Sequence, residues 1–424
     1  MAPNPKLVKH SEEFRKELFE LAPGVFSAVG YGASNAHMLV GEEGVTVIDT
    51  TDSTKAAENI LALFREKTDK PVETIIYTHS HRDHISGATI MSEGRDVEIL
   101  AHEKFSSDIV NVDNTRPAPN AAIMARTKRQ FGIGLSFPDE RVNMGLGPGD
   151  RPTEGIGAGH IPPNKLISED RLKTSRSGVS FELVHAPGET PDHMMVWLEE
   201  KGILFCADNF YPIFPNLYAI RGTGYRDFDA WVDSLDVMIG LEPEVLVSGH
   251  GRPFFGKDNI KAVLTDYRDA IRYIIAETAA GMNAGKGIEE LAGEIKLPEH
   301  LASKIYLQEH YGKVSWSVKA YAVGTLGWFD GNPTNLNRLP PKEEARRFVD
   351  VAGGVEQVLQ TAKTALSNDD SQWAMELADR LLVLGELAAE ATAVKIGAMR
   401  KMADLEINAT ARNYYLLYAK ELEA

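Results

Sequence analysis

Three imidazoles and a carboxylate fall within six consecutive positions, His79-Ser80-His81-Arg82-Asp83-His84, directly after the β-branched apolar run Thr74-Ile75-Ile76-Tyr77. A packed core gains nothing from such a cluster, because each buried polar group needs a compensating partner. A borderline divalent cation does gain from it, since imidazole and carboxylate are the ligands it prefers. Alternate side chains along an extended backbone face the same way. His79 and His81 can therefore hold one ion while Asp83 and His84 turn towards another. A strand that ends in ligands limits the fold to one in which strand ends converge on a cleft.

The spacing H-x-H-x-D-H resembles the signature of the metallo-β-lactamase superfamily. Three later segments are similar to that family's remaining ligand positions. His193 closes Ala186-Pro187-Gly188-Glu189-Thr190-Pro191-Asp192-His193. Asp208 follows the apolar run Gly202-Ile203-Leu204-Phe205-Cys206-Ala207, and His250 follows Val245-Leu246-Val247-Ser248-Gly249. The resemblance implies that His79, His81 and His193 hold one ion and Asp83, His84 and His250 a second. Asp208 then bridges the two beside a shared water. It also implies an α/β fold, the αβ/βα metallo-β-lactamase sandwich, and two divalent metal ions, with zinc foremost among zinc, manganese and iron.

A chain of 424 residues has room for two cores. Its net charge of −16 argues against nucleic acid as a partner, because nothing neutralises phosphates in bulk. The single cysteine, Cys206, excludes an intrachain disulfide and reads as core packing. No apolar leader and no run long enough to span a membrane is visible, so a cytoplasmic protein is expected.

From about residue 23 to 255, short β-branched runs alternate with helical patterns, as in layered α/β folds. A Gly/Pro-rich insert at 131–172 interrupts them and reads as a loop covering the metal cleft. Strand signals nearly vanish after 258. Val263, Tyr267, Ile271 and Ile274 mark one helical face, and Trp373, Leu377, Leu381 and Leu384 mark another. Residues 1–257 are therefore expected to form the catalytic domain and 258–424 an all-helical domain.

Tyr311-Gly312-Lys313-Val314-Ser315, then Leu326-Gly327-Trp328-Phe329-Asp330-Gly331-Asn332-Pro333, resembles the dimerisation domain of the zinc-dependent alkylsulfatases. Asn216-Leu217-Tyr218-Ala219-Ile220-Arg221-Gly222, with Arg226-Asp227, is similar to the same family's segment after the bridging ligand. This implies a homodimer that buries Val263, Tyr267 and Ile271 against a second copy. It also implies hydrolysis of a sulfate ester on a long or branched alkyl group, a small molecule anionic at one end and apolar at the other. Asp83 would serve in catalysis as well as coordination. Arg221 would hold the sulfate oxygens, a task suited to a guanidinium, and Tyr218 would assist.

The chain departs from that family in three places. Alkylsulfatases usually carry glutamates where His193 and Asp208 stand, and a histidine where Trp316 stands. A hydrolase of the same architecture acting on a carboxylic ester, lactone, β-lactam or phosphate ester is the competing reading. His37, His160 and His185 are further candidates at the cleft, the first two facing it and His185 behind the ligands.

Overall fold

A computed structural model of the protein describes residues 2–106 and 120–424. Among these, thirteen strands form two sheets. The first runs in order β1 (Glu17–Ala22), β2 (Val25–Val29), β3 (Ala36–Val40), β4 (Val45–Ile48), β5 (Val72–Ile76), β6 (Glu98–His102) and β7 (Lys165–Ile167). The second is ordered β13-β12-β11-β10-β9-β8, from β8 (Arg171–Arg176), β9 (Val179–His185), β10 (Met194–Leu198), β11 (Ile203–Ala207), β12 (Val245–Ser248) and β13 (Phe254–Phe255). Strands β4 to β7 pair in parallel, as do β11 and β12.

Parallel neighbours need a crossover. Helix α1 (Thr54–Arg65) joins β4 to β5, and Ser53 caps it by accepting the Ala56 N–H. Helix α2 (Asn120–Gln130) lies between β6 and β7, and α3 (Phe228–Leu241) joins β11 to β12 under an Asp227 cap. The inner faces meet through Ile48, Ile76 and Leu100 on one side and Met194, Val196, Phe205 and Val247 on the other. Each such side chain contributes roughly 1.5–3 kcal/mol on burial. The carboxyl ends of β5, β11 and β12 and the turn between β9 and β10 are thus anchored at one end of the sandwich.

The insert at 131–172 is tied down at several points, and its last part is not loop but β7 and the start of β8. Gly159 N–H donates to Ser86 O at 3.0 Å, Thr89 N–H donates to Gly159 O at 2.9 Å, and Arg151 Nε donates to Asp52 Oδ2 at 2.8 Å. Leu146 packs with Tyr211, Ile213 and Tyr311 beside the strand ends.

The helical part begins with α4 (Lys257–Asn283) and α5 (Val314–Leu326). It continues through α6 (Pro341–Val351), α7 (Val355–Ser367), α8 (Ser371–Leu384), α9 (Ala388–Leu405) and α10 (Ala409–Glu423). One expectation is corrected here. Val263, Tyr267 and Ile271 are 2%, 0% and 0% exposed in the single chain, so they cannot be the surface offered to a second copy. They pack with Phe210, Trp231, Leu235 and Leu246 on the outer face of the second sheet, in a core that continues through Val314 and Val318. Helical periodicity shows that a face is apolar, not what covers it. A separate core, from Val349 to Ala419, joins α6 to α10. Leu377 and Leu381 lie inside it, whereas Trp373, in the first turn of α8, is 40% exposed. No helix among the described residues is long and apolar enough to cross a membrane.

Candidate metal centre

Beyond β5 the chain runs through Tyr77 and Thr78 into His79, Ser80 and His81, then into a single helical turn, Arg82–Ile85. Asp49, at the end of β4 and fully buried with φ 57°, organises this segment. It accepts the Thr78 N–H at 2.9 Å and the Thr78 hydroxyl at 2.8 Å, and His84 Nδ1 donates to it at 2.7 Å. A histidine that donates through one nitrogen presents a lone pair on the other. His84 Nε2 therefore faces inward, 3.4 Å from Asp208 Oδ2 and 3.7 Å from Asp83 Oδ2, with no hydrogen-bond partner. His250 repeats the device. Its Nδ1 donates to Ala33 O at 2.9 Å, and its Nε2 lies 3.0 Å from Asp208 Oδ2 and 3.5 Å from Asp83 Oδ2.

His79 is held from behind by Thr78. The Thr78 hydroxyl proton is committed to Asp49, so Thr78 Oγ1 accepts from His79 Nδ1 at 3.0 Å. His79 Nε2 then lies 3.0 Å from His81 Nδ1, with Glu189 Oε2 at 4.0 Å and 3.9 Å from the two. Arg226, fully enclosed, donates through Nη1 to Glu189 Oε1 and to Asn216 O, which turns Glu189 Oε2 towards the two imidazoles. Gly249 closes the floor, where a Cβ would collide with Asp208 Oδ1 and His84 Cε1.

Two groups of converging donor atoms result, His79–His81–Glu189–Asp208 and Asp83–His84–His250, each within a 4.8 Å span. His84 Nε2, Glu189 Oε2 and Asp208 Oδ1 are buried without a partner. Facing lone pairs and orphaned carboxylate oxygens fit divalent cations, which satisfy all of them at once. Burial pushes His79 and His81 well down, and the Arg221 and Arg226 charges push His81 further. Burial also opposes charge on His84, but Asp208, Asp49 and Asp83 outweigh it and raise its pKa well above the usual value. Burial raises Glu189 to about 8 against the pull of Arg226.

The structure brings six of the seven expected ligands together and leaves one out. His193 Nε2 accepts the Asp208 N–H at 3.1 Å, so its lone pair is spent on the backbone, and the ring stacks on His79 at 5.1 Å. Glu189, four residues earlier in the same turn, stands in the cluster instead. The sequence reading set the family's usual glutamate against His193 and gave Glu189 no role.

Arg221 and Tyr218 lie on the segment after β11. The Arg221 N–H donates to Gln130 Oε1 at 2.8 Å, and its charge acts on His81. Tyr218 is half-buried. Sequence reasoning gave no role to Asp49, Arg226, Gln130 or Tyr311, none of which has ligand spacing. His37 is not at the cleft. It is buried between the sheets, hydrogen-bonded to Ser27 Oγ at 2.9 Å and packed on Phe205. His160 sits beside Tyr77 and Phe105, and His185 stacks on His102 at 3.8 Å.

Comparison with known proteins places this arrangement. Residues 29–250 match the metallo-beta-lactamase superfamily model, and residues 287–424 match the alkyl sulfatase dimerisation model. A linear primary-alkylsulfatase from Pseudomonas sp. is 36% identical over 394 residues, covering 91% of this chain and 73% of the relative. The Saccharomyces cerevisiae alkyl/aryl-sulfatase BDS1 is 30% identical over 415 residues, covering 96% of this chain and 64% of the relative. The solved stereoselective inverting sec-alkylsulfatase Pisa1 from Pseudomonas sp. superposes with a TM-score of 0.89 at 29% identity, over 99% of this chain and 68% of that one. The chain belongs to the metallo-β-lactamase superfamily of metal-dependent hydrolases, within its alkylsulfatase family.

Proposed function

We propose that the protein is a dinuclear zinc hydrolase that cleaves alkyl sulfate esters. The observation that carries this reading is the pair of adjacent donor groups in one cleft, with Asp208 of the first lying 3.4 Å from His84 Nε2 and 3.0 Å from His250 Nε2 of the second, and the Arg221 segment alongside. His79, His81 and Glu189 would hold one ion, Asp83, His84 and His250 the other, and Asp208 both. Such a pair, when bound, would supply Lewis acidity and lower the pKa of a water in the cleft.

The remaining work falls to the chain's own groups. Asp83 is the most open of the cluster's carboxylates at 28% exposure, so it can accept a hydrogen bond from the attacking water and orient it. Arg221 supplies donors to the sulfate oxygens, where its fork geometry suits a tetrahedral oxyanion, and Tyr218 adds a hydroxyl. Leu146, Tyr211, Ile213 and Tyr311 pack as a buried apolar cluster behind the cleft, with the Tyr211 ring 6.0 Å from that of His250. Two copies would meet through the exposed Leu326, Trp328, Leu336 and Leu339, within the region matched to the dimerisation model.

Zinc-loaded protein is to be screened against primary and secondary alkyl sulfates, including octyl sulfate, beside lactones, β-lactams and carboxylic and phosphate esters. Chelator-sensitive sulfate release supports the reading. Turnover of another ester without sulfate release overturns it in favour of the alternative hydrolase. Trp316 favours that alternative. In place of the family's histidine it presents an indole, with Lys313 Nζ 5.4 Å above the ring and paired with Glu406 at 2.7 Å.

A further inference from the structure

We infer that Gln130 is the positioning residue that sets the Arg221 segment against the cleft, and that the last helix of the chain holds Gln130 there. This rests on the substrate role given to Arg221 above. Gln130 is the final residue of α2 and 1% exposed. Both ends of its amide are used: Oε1 accepts the Arg221 N–H at 2.8 Å, and Nε2 donates to the Tyr311 hydroxyl at 3.0 Å. A buried amide with donor and acceptor both engaged has one orientation, since flipping it would leave two polar groups unpaired.

The bridge therefore fixes the Arg221 backbone relative to Tyr311. Tyr311 itself feels the charges of Arg221, Asp83 and Glu189, and burial holds its hydroxyl protonated. Both supports of the bridge lead to α10. Asn408 Nδ2 donates to Tyr311 O at 2.9 Å, Thr410 Oγ1 donates to the same oxygen at 3.3 Å, and Asn413 Nδ2 donates to Gln130 O at 3.4 Å. Next to it, Arg129 pairs with Glu421 at 2.6 Å and lies over the Tyr418 ring. A residue some 190 positions beyond Arg221 thus takes part in placing it, because the last helix folds back onto the catalytic end of the sandwich.

The test is a double-mutant cycle of Gln130→Leu and Arg221→Ala, with kcat and KM for octyl sulfate, zinc content and thermal unfolding measured for each. Gln130→Leu is expected to raise KM about 10-fold or more, with zinc content unchanged. In the Arg221→Ala background it should cost under about 2-fold, because the group it positions is already gone. Gln130→Glu should recover most of the KM, since its carboxylate accepts from Arg221 N–H and from the Tyr311 hydroxyl alike. Equal cost of Gln130→Leu in both backgrounds overturns the positioning role while leaving Arg221 in place. A silent Arg221→Ala overturns the substrate role of Arg221 and the positioning role with it. Should Gln130→Leu not fold, Gln130→Glu decides alone: unchanged KM supports the bridge, and a KM raised as far as that of Arg221→Ala overturns it.

Discussion

The two donor groups of the cleft are built differently. In the group of Asp83, His84 and His250, each imidazole is held from behind by an acceptor on the sheet end or the backbone. Asp49 lies at the end of β4, Ala33 O belongs to backbone, and both imidazoles are thereby set in one tautomer. The group of His79, His81 and Glu189 rests in part on a buried ion pair, with Arg226 holding one oxygen of Glu189 so that the other faces the imidazoles. The first device is rigid and uncharged on the His250 side. The second places two ions in a low-dielectric setting, where each depends on the other for its solvation. The difference shows that one cleft can combine a preformed half with a half whose integrity depends on one side-chain pair.

The largest effect tests what the halves share. Asp208→Ala removes the carboxylate common to both, so zinc content should fall towards zero and turnover by at least about 10³-fold. Retention of two ions per chain by elemental analysis would break the comparison. Next is Arg226→Met, which leaves Glu189 buried and unpaired. Urea unfolding of the apo form above pH 8, where Glu189 is ionised, should show a loss of about 3–5 kcal/mol, and the loaded protein should keep one ion, in the Asp49-supported half. If both ions leave together, the halves are not independent.

Third, Glu189→Gln should weaken the first ion's affinity by well over about 100-fold, whereas His193→Gln should cost no more than the roughly 10- to 100-fold typical of a neighbour behind the ligands. Competition titration with a zinc chelator separates the two, and equal losses would restore His193 to the coordination set.

The smallest effect lies away from both halves. His10 stacks on His310 at 4.0 Å and donates through Nε2 to Gly145 O at 2.6 Å. Burial, then the neighbouring His310, lowers its pKa from 6.5 to about 3. Above pH 6.5 it is neutral whether folded or not. As the pH falls from 6.5 towards 3, the unfolded chain takes up a proton that the fold refuses, and the stability present above 6.5 is lost. His10→Gln should flatten that part of the stability profile with and without chelator. A slope that vanishes on zinc removal alone would assign it to the cleft instead.

Much of this was legible. The sandwich announced itself through short β-branched runs, and β2, the β3–β4 hairpin and α1 with its Ser53 cap all follow local rules of alternation, turn chemistry and capping. The strand Glu17–Ala22 was not, because its side chains are only partly buried and its apolar pattern is weak. The orientation of α4 was misread for a different reason. Its apolar stripe was plain, but a stripe carries no record of whether a sheet or a second molecule lies against it.

By itself, the sequence determined that this chain carries a metal-type cluster at a strand end. Residues 79 to 84 are contiguous, and strand alternation followed by one helical turn aims their side chains with little outside help. Which of Glu189 and His193 enters the cleft was decided only by tertiary structure. The choice depends on an amide at Asp208 that occupies His193 and on a guanidinium at Arg226 that turns Glu189. Both belong to other elements, brought to the turn by sheet packing. The same holds for Gln130, whose two partners lie about 90 and 180 positions away. Local spacing can encode a cluster, but the direction in which a buried side chain points is fixed by whichever distant donor or acceptor the fold sets against it.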